Sequence, residues 1–219
     1  MLSLNASSSS QESPPQQPSC ENNANPVFTA DITDMSLISK ITPPGAILST
    51  GEVKSHSYLW IKDGSRVPVY APTDMKLSSG AYYDEGEELI YMLVFEVSCE
   101  VRIKFDHIQE PVDAIRGALP SEPKFDTRVD MVSELIEFKA GDLVGHTTGT
   151  SVANNWDFGV YNTTLYPNPV TEGVANLEEV DKNADCGYDY FTSDKRAVYK
   201  NLFIVSIGSS ESSIPYCSF

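Results

Sequence analysis

The pattern of apolar and polar residues along most of this chain is that of β-strands. Short apolar segments at Tyr58–Ile61 and Val67–Pro72 flank the turn sequence Lys62–Ser65. Further along, Ile90–Phe95 and Val97–Phe105 are either continuously apolar or alternate between apolar and polar residues. Both segments are rich in β-branched and aromatic residues, which favour strands. The pattern therefore predicts a mainly β fold, an antiparallel β sandwich or open barrel with minor helix.

The second half of the chain adds two short helices and further strands to this expectation. Proline, glycine and charged residues interrupt the strand pattern after position 110, where we predict a short helix at Val112–Ala118. Met131–Phe138 is apolar again and leads into a turn. Beyond position 160, Val174–Val180 is predicted to be helical, and the apolar run Leu202–Ile207 is predicted to form a strand.

Composition changes at both ends of the chain and suggests its organisation. Residues 1–26 are rich in Ser, Gln, Pro and Asn, a composition that cannot bury a core and predicts a disordered tether. Residues 27–44 mix short apolar runs with prolines and predict an extended lead-in that can add a strand. Residues 163–219 are expected to form a C-terminal extension packed on the core.

The strongly acidic balance limits the possible partners and the location. The formal net charge is −16. Nucleic acids and anionic membrane surfaces both attract Lys and Arg, so this charge opposes both as partners. The chain contains no apolar run of about 18 residues, so no transmembrane helix is expected. We expect an extracellular or cell-envelope protein whose export signal or anchor is absent from this chain, and a cytoplasmic location stays open.

The four cysteines predict disulfides if the protein is exported. Four cysteines allow three pairings. Cys186 and Cys217 both lie in the C-terminal extension, and we predict a disulfide between them. The sequence does not decide whether Cys20 pairs with Cys99. Four free thiols in a reducing compartment are the alternative.

Several short motifs, in order, resemble the lysostaphin-like (M23-type) zinc metallopeptidase family. The turn Lys139–Gly145 and the strand Trp156–Val160 are similar to the closing half of that fold, and Pro68–Pro72 is similar to an earlier strand junction. Phe105–His107 resembles the central strand that carries a catalytic histidine in this family. The resemblance implies a β domain over residues 45–162, built from the family's duplicated hybrid motif.

The resemblance also implies an incomplete metal site. His56 matches the family's first zinc ligand, while Trp60 stands where the family has an aspartate ligand. His107 matches a catalytic histidine. Asn155 and Asp157 replace the two histidines of the family's His-x-His motif, and Asp157 can still bind a metal whereas Asn155 cannot act as a general base.

The family resemblance and the incomplete metal site leave two alternative functions. The first is a catalytically inactive domain, a pseudoenzyme, that binds or scaffolds a peptide or protein of the cell envelope through a groove lined by Trp60, Asn155 and Trp156. The second is a metal-dependent cell-wall endopeptidase with a rearranged site, in which His56 and Asp157 hold zinc and His107 is catalytic. The first function requires no cofactor and the second requires zinc. The natural ligand and the oligomeric state are not predicted.

Overall fold

A computed structural model describes residues 20–46, 53–62, 64–86, 88–169, 182–204 and 216–217. The predicted fold class is confirmed, because the described ranges form antiparallel β-sheets with two short α-helices. The strands are β1 (Ile38–Thr42), β2 (Ser57–Ile61), β3 (Val67–Tyr70), β4 (Met75–Asp84), β5 (Leu89–Glu96), β6 (Val101–Ile108), β7 (Glu110–Pro111), β8 (Asp130–Phe138), β9 (Leu143–Thr147), β10 (Asn155–Asn162) and β11 (Ala184–Asp185). The helices are α1 (Asp113–Ala118) and α2 (Ser193–Lys200). Neither described helix has the length and apolar composition needed to span a bilayer.

The strands form one large sheet and one small sheet. The large sheet has the order β1-β2-β10-β6-β5-β4-β8, and β11 pairs with the later part of β10. The small sheet has the order β3-β9-β7. Strand β10 is central in the large sheet, since it pairs with β2 on one side and with β6 on the other. Residues of β10 are therefore neighbours of both β2 and β6.

The hydrophobic core lies on one face of the large sheet. Alternate residues of β10 and β6 point into it, among them Phe105, Trp156 and Phe158, which are buried. Val69 and Val144 of the small sheet belong to the same buried cluster, so the two sheets share one core. The other face of β6 and β10 is left for polar side chains.

The C-terminal segment packs on this core. Tyr188, Phe191 and Tyr199 are buried in it, and Tyr188 and Phe191 make edge contacts with Phe158. Gly187 is required at its position, because a Cβ atom there would come within 2.6 Å of the ring of Phe158. This segment therefore contributes apolar area to the β domain and closes one end of the core.

The N-terminal segment is joined to the domain by hydrogen bonds and a disulfide. The hydroxyl of Tyr199 accepts a hydrogen bond from the backbone N–H of Ile32 and donates one to Asp31. Strand β1, inside the expected lead-in, pairs with β2 and so belongs to the large sheet. Residues 20–26 of the expected tether are also attached, through the Cys20–Cys99 disulfide and a hydrogen bond from Ser98 Oγ to the carbonyl of Asn23.

The predictions for individual helices, strands and disulfides have different outcomes. The helix predicted at Val112–Ala118 is present as α1. The helix predicted at Val174–Val180 lies outside the described residues, as do residues 205–207 of the predicted last strand. Of that strand, Phe203 makes an isolated bridge to Ile41. The predicted Cys186–Cys217 disulfide is confirmed.

We predict that each disulfide stabilises the fold by cross-linking distant parts of the chain. Replacing both Cys186 and Cys217 by serine should lower the free energy of unfolding by about 2–5 kcal/mol, measured by urea denaturation. The double variant Cys20→Ser/Cys99→Ser should have a loss of the same order, because the bridge closes a separation of 79 residues. Unchanged stability in either double variant would contradict the prediction.

Candidate functional site

A cavity of about 820 Å³ lies on the face of the large sheet that points away from the core. Residues of β2, β4, β5, β6 and β10 and of the segment before β2 line it. The carboxylate and imidazole side chains in it are those of His56, Glu85, Asp106, His107 and Asp157. A second cavity, of about 360 Å³, lies beside the Cys20–Cys99 disulfide and contains no histidine. The first cavity is the candidate functional site.

Asp157 lies at the centre of this site because β10 is the central strand. Its partners in the sheet are Tyr58 on β2 and Asp106 on β6. The residue is only 3% exposed. Its Oδ2 atom lies 3.0 Å from Nε2 of His56, and its Oδ1 atom lies 3.5 Å from Nδ1 of His107. A single buried carboxylate therefore contacts both histidines that the sequence proposed as site residues.

An irregularity in β6 brings Asp106 and His107 to the same cavity. Consecutive residues of a regular strand point to opposite faces. Here Phe105 pairs with Leu93 and Ile108 with Tyr91, so β6 has one residue more than β5 over this stretch, which is a β-bulge. His107 takes a positive φ of 63° within the bulge, an uncommon value for a residue other than glycine. Both side chains line the cavity as a result.

Asp106 is held in position by two hydrogen bonds. Its Oδ1 atom accepts one from the hydroxyl of Tyr83 at 2.8 Å and one from the backbone N–H of His107 at 2.9 Å. Burial, followed by the negative charge of Asp106, raises the pKa of Tyr83. Tyr83 therefore stays a neutral donor to Asp106 throughout the physiological pH range.

The charges around Asp157 keep it ionised despite its burial. Burial alone would raise the pKa of its carboxyl group, but the facing side chains of His56, His107 and Lys104 outweigh this effect and lower it. Lys104 Nζ lies 3.5 Å from Nδ1 of His56 and 3.9 Å from Oδ2 of Asp106. The site thus contains an ammonium group among its carboxylates and imidazoles.

The three residues predicted to line a groove lie elsewhere. Trp156 is fully buried in the core, where it packs against Phe105, because its side chain lies on the face of β10 opposite Asp157. Asn155 is buried and pairs with Trp60 across β10 and β2. The indole N–H of Trp60 donates to Thr42, and Lys40 Nζ lies 4.3 Å from the ring centroid. None of Trp60, Asn155 and Trp156 is among the residues that line the cavity.

The third histidine of the chain is remote from the site. His146 lies in β9 of the small sheet, where it is paired with Pro68 and Glu110. Burial and the nearby Arg66 lower its pKa. It lies in the small sheet, away from the other two histidines. The cavity therefore contains two of the chain's three histidines.

Three residues of the site, Tyr83, Lys104 and Asp106, were not predicted from the sequence. Asp106 stands directly before His107, and that adjacency was the available signal. In a regular strand one of these two side chains would point into the core. The adjacency therefore predicts a shared site only if the β-bulge is known. Tyr83 and Lys104 reach the site through the pairing of β4, β5 and β6, which no local motif marks.

The donor atoms of the site fit a metal cation. One donor atom each from Asp106, His107 and Asp157 lies within 4.8 Å of the others. Nδ1 of His107 and Oδ1 of Asp157 are buried and have no hydrogen-bond partner. Buried polar atoms without a partner are costly, and a shared cation would satisfy both. Imidazole and carboxylate groups are common ligands of zinc and related divalent metals.

No protein-family model and no curated protein matches this chain. Solved structures with a similar fold include lysostaphin, determined in solution by NMR, with a TM-score of 0.41 and 15% identity over 82% of this chain and 57% of that chain. Csd3 of Helicobacter pylori has a TM-score of 0.41 and 12% identity over 80% of this chain and 38% of its own. A zinc-containing peptidase from Vibrio cholerae has a TM-score of 0.35 and 16% identity over 67% and 37%.

The sequence was expected to have a lysostaphin-like fold, and lysostaphin is among the structures to which the chain is similar. The chain spans a little over half of lysostaphin and less than two fifths of the other two chains. At TM-scores of 0.41 and below, the similarity transfers no activity, substrate or metal to this protein.

We predict that Asp157 stabilises the fold at neutral pH and loses this effect in acid. Because its pKa is lowered in the folded state, the stabilisation is present above about pH 4 and is lost as the pH falls through the lowered value. Asp157→Asn should lower the free energy of unfolding by about 2 kcal/mol at pH 7, and the difference from wild type should shrink below pH ~4.

Urea denaturation at several pH values measures this difference. Asp113→Asn is the matched control, because that side chain is 99% exposed in α1 and its loss should change stability by less than about 0.5 kcal/mol. A difference between Asp157→Asn and wild type that grows as the pH falls below about 4 would show that the sign is wrong.

Proposed function

We propose that this domain is a catalytically inactive lysostaphin-like module that binds a ligand of the cell envelope in the cavity around Asp157. The observation that carries the proposal is the placement of Trp60 and Asn155. These residues stand where the resembling family has a metal ligand and a catalytic histidine, and both side chains lie outside the cavity. In the described ranges, no other histidine takes their place there.

Hydrolysis by a zinc peptidase makes two demands that this arrangement meets poorly. The metal needs about three protein ligands around an open position, and the attacking water needs a base. Nε2 of His56 is already paired with Asp157, and its Nδ1 faces the ammonium group of Lys104. Loss of a general base alone lowers a rate by roughly 10²–10⁴-fold. These features support binding over catalysis.

The walls of the cavity suit a ligand with both polar and apolar parts. Tyr58, Met92 and Val94 supply aromatic and apolar surface, whereas Lys54 and Arg102 add positive charge. Ligand sites typically combine such apolar walls with a few polar groups that fix orientation. Peptides and sugars of the bacterial cell wall have this mixed character, and aromatic side chains contact both.

An extracellular or cell-envelope location is part of the proposal. All four cysteines are in disulfides, Cys20 with Cys99 and Cys186 with Cys217. Structural disulfides persist in oxidising compartments and are rare where glutathione keeps thiols reduced. The acidic surface charge of the chain further disfavours nucleic acid as a partner.

A metal-dependent endopeptidase is the second candidate function. It is favoured by one observation, the convergence of His56, His107 and Asp157 with two buried donor atoms that have no hydrogen-bond partner. In this candidate, His56 and Asp157 would hold zinc, and His107 would move a proton at the reacting water. The metal would polarise the scissile carbonyl and acidify that water.

We predict that filling the cavity weakens ligand binding. Val94→Trp places an indole in the cavity wall, and it should weaken binding to purified bacterial peptidoglycan by about tenfold or more, a change equal to about 1.4 kcal/mol. Val152→Trp makes the same change at a position that is 94% exposed and outside the cavity, and it should bind like wild type. Depletion of protein from solution by insoluble peptidoglycan measures the binding.

The same samples separate the two candidate functions. Wild-type protein that binds peptidoglycan and releases no soluble peptide, with or without added Zn²⁺, would support the binding module. Zinc-dependent release of peptides that is lost in His56→Ala would contradict it and establish the endopeptidase. Equal binding by Val94→Trp and Val152→Trp would exclude the cavity as the ligand site.

A further inference from the structure

The β-bulge in β6 directs the side chain of His107 toward Asp157, a placement that a simple binding groove does not need. It turns His107 away from the core and toward Asp157, at the expense of a positive φ in a residue with a side chain. Strained backbone of this kind persists where the surrounding structure enforces it, and it is concentrated at functional sites. The bulge places two consecutive donors, Asp106 and His107, beside the buried Asp157.

We propose that Asp106, His107 and Asp157 together bind one divalent transition-metal cation, and that His56 stays outside its coordination sphere. The cation lies between β6 and β10. It does not bridge to the segment before β2, where the resemblance to zinc peptidases places the first ligand. The proposal deepens the proposed binding function, on whose cavity it rests, by making a cation part of the ligand site.

The contact between His107 and Asp157 requires a positive charge between the two side chains. Nε2 of His107 faces the carboxylate of Glu85 at 3.5 Å, an arrangement in which this nitrogen carries the proton. Nδ1 of a neutral His107 then has a lone pair directed at Oδ1 of Asp157, 3.5 Å away. Two acceptors repel each other at this distance unless a proton or a cation lies between them.

The geometry around this contact matches a metal ion. Ligand atoms bonded to a first-row metal at about 2.0–2.2 Å lie roughly 3–3.5 Å apart. The 3.5 Å between Nδ1 of His107 and Oδ1 of Asp157 agrees with this value. Both atoms are buried without a hydrogen-bond partner, and the side chain of Asp157 is only 5% exposed. A carboxylate on the second nitrogen of a histidine, as Glu85 is here, is the usual neighbour of a metal-bound imidazole.

Asp106 supplies the third ligand in an orientation fixed by its neighbours. Its Oδ1 atom is held by Tyr83 and by the backbone N–H of His107. Such outer hydrogen bonds orient metal ligands and are part of their affinity. Two carboxylates and one imidazole suit Mn²⁺ or Zn²⁺, and the chain offers no thiolate because its cysteines are all in disulfides.

His56 has a different role in this arrangement. Its Nε2 atom holds Oδ2 of Asp157 at 3.0 Å, which turns Oδ1 toward His107. Its Nδ1 atom lies 3.5 Å from Lys104 Nζ. The ammonium group opposes a second cation at that end of the cavity, and it also lies 3.9 Å from Oδ2 of Asp106. His56 is thus a positioning residue, and Lys104 limits the affinity of the site.

Mn²⁺ is the probe that distinguishes the ligands. Full-length protein is dialysed against a chelator and titrated with Mn²⁺ or Zn²⁺ by calorimetry, and the bound Mn²⁺ is examined by electron spin-echo spectroscopy for coordinated nitrogen. We expect one ion per chain and one imidazole nitrogen. The nitrogen signal should persist in His56→Gln and disappear in His107→Asn, a replacement that tolerates the positive φ at this position.

Affinity changes give a second and independent readout. Asp106→Asn should weaken Mn²⁺ binding by about 100-fold or more, since even outer-shell changes cost roughly 10–100-fold. Lys104→Gln should tighten it by about tenfold, and a gain of affinity cannot come from misfolding. His146→Gln, in the small sheet, is the control and should bind Mn²⁺ like wild type.

Three results would overturn the proposal: no binding of Mn²⁺ or Zn²⁺ by wild type, loss of the nitrogen signal in His56→Gln, or undiminished affinity in Asp106→Asn. The first result would mean that a proton on His107 fills the place of the cation. Peptidoglycan depletion repeated in chelator keeps this outcome separate from the proposed function, because wall binding without metal binding would refute the cation site alone.

Discussion

The arrangement of the site follows from one constraint, the burial of an ionised carboxylate on the central strand of the large sheet. A carboxylate without water around it needs positive charge or hydrogen-bond donors from the protein. Asp157 obtains them from both neighbouring strands, through His56 ahead of β2 and through His107 and Lys104 on β6. The bulge in β6 brings His107 to Asp157, and the position of the segment before β2 brings His56 to it.

The central place of β10 explains why polar and apolar functions coexist within a few residues. One face of the strand carries Trp156 and Phe158 into the core, and the other carries Asp157 into the cavity. A change of register by one residue would exchange these faces. Pairing on both sides of β10 prevents that slip, so the packing of the core also fixes the geometry of the site.

Parts of this structure could be predicted from the sequence because they depend on local patterns. Alternation of apolar residues predicts strands, and two cysteines in one short extension predict the Cys186–Cys217 bridge. The proximity of His56, His107 and Asp157 followed from the family resemblance. Strand alternation itself places Trp156 opposite Asp157, so the prediction that Trp156 lines a groove conflicted with the predicted strand. The bulge that unites Asp106 and His107 could not be predicted, because it arises from the pairing of two strands.

The Cys20–Cys99 bridge determines how a pulling force would pass through the protein. Cys99 lies in the turn between β5 and β6, next to the strand that carries Asp106 and His107. Tension applied to the residues before Cys20 would enter the turn through a covalent bond and leave residues 21–98 outside the loaded path. Strands β1 to β5 would then be mechanically shielded, and the load would pass directly into β6. A pull between the N-terminal segment and the C-terminal part of the chain would thus stretch the protein without peeling its first five strands from the sheet.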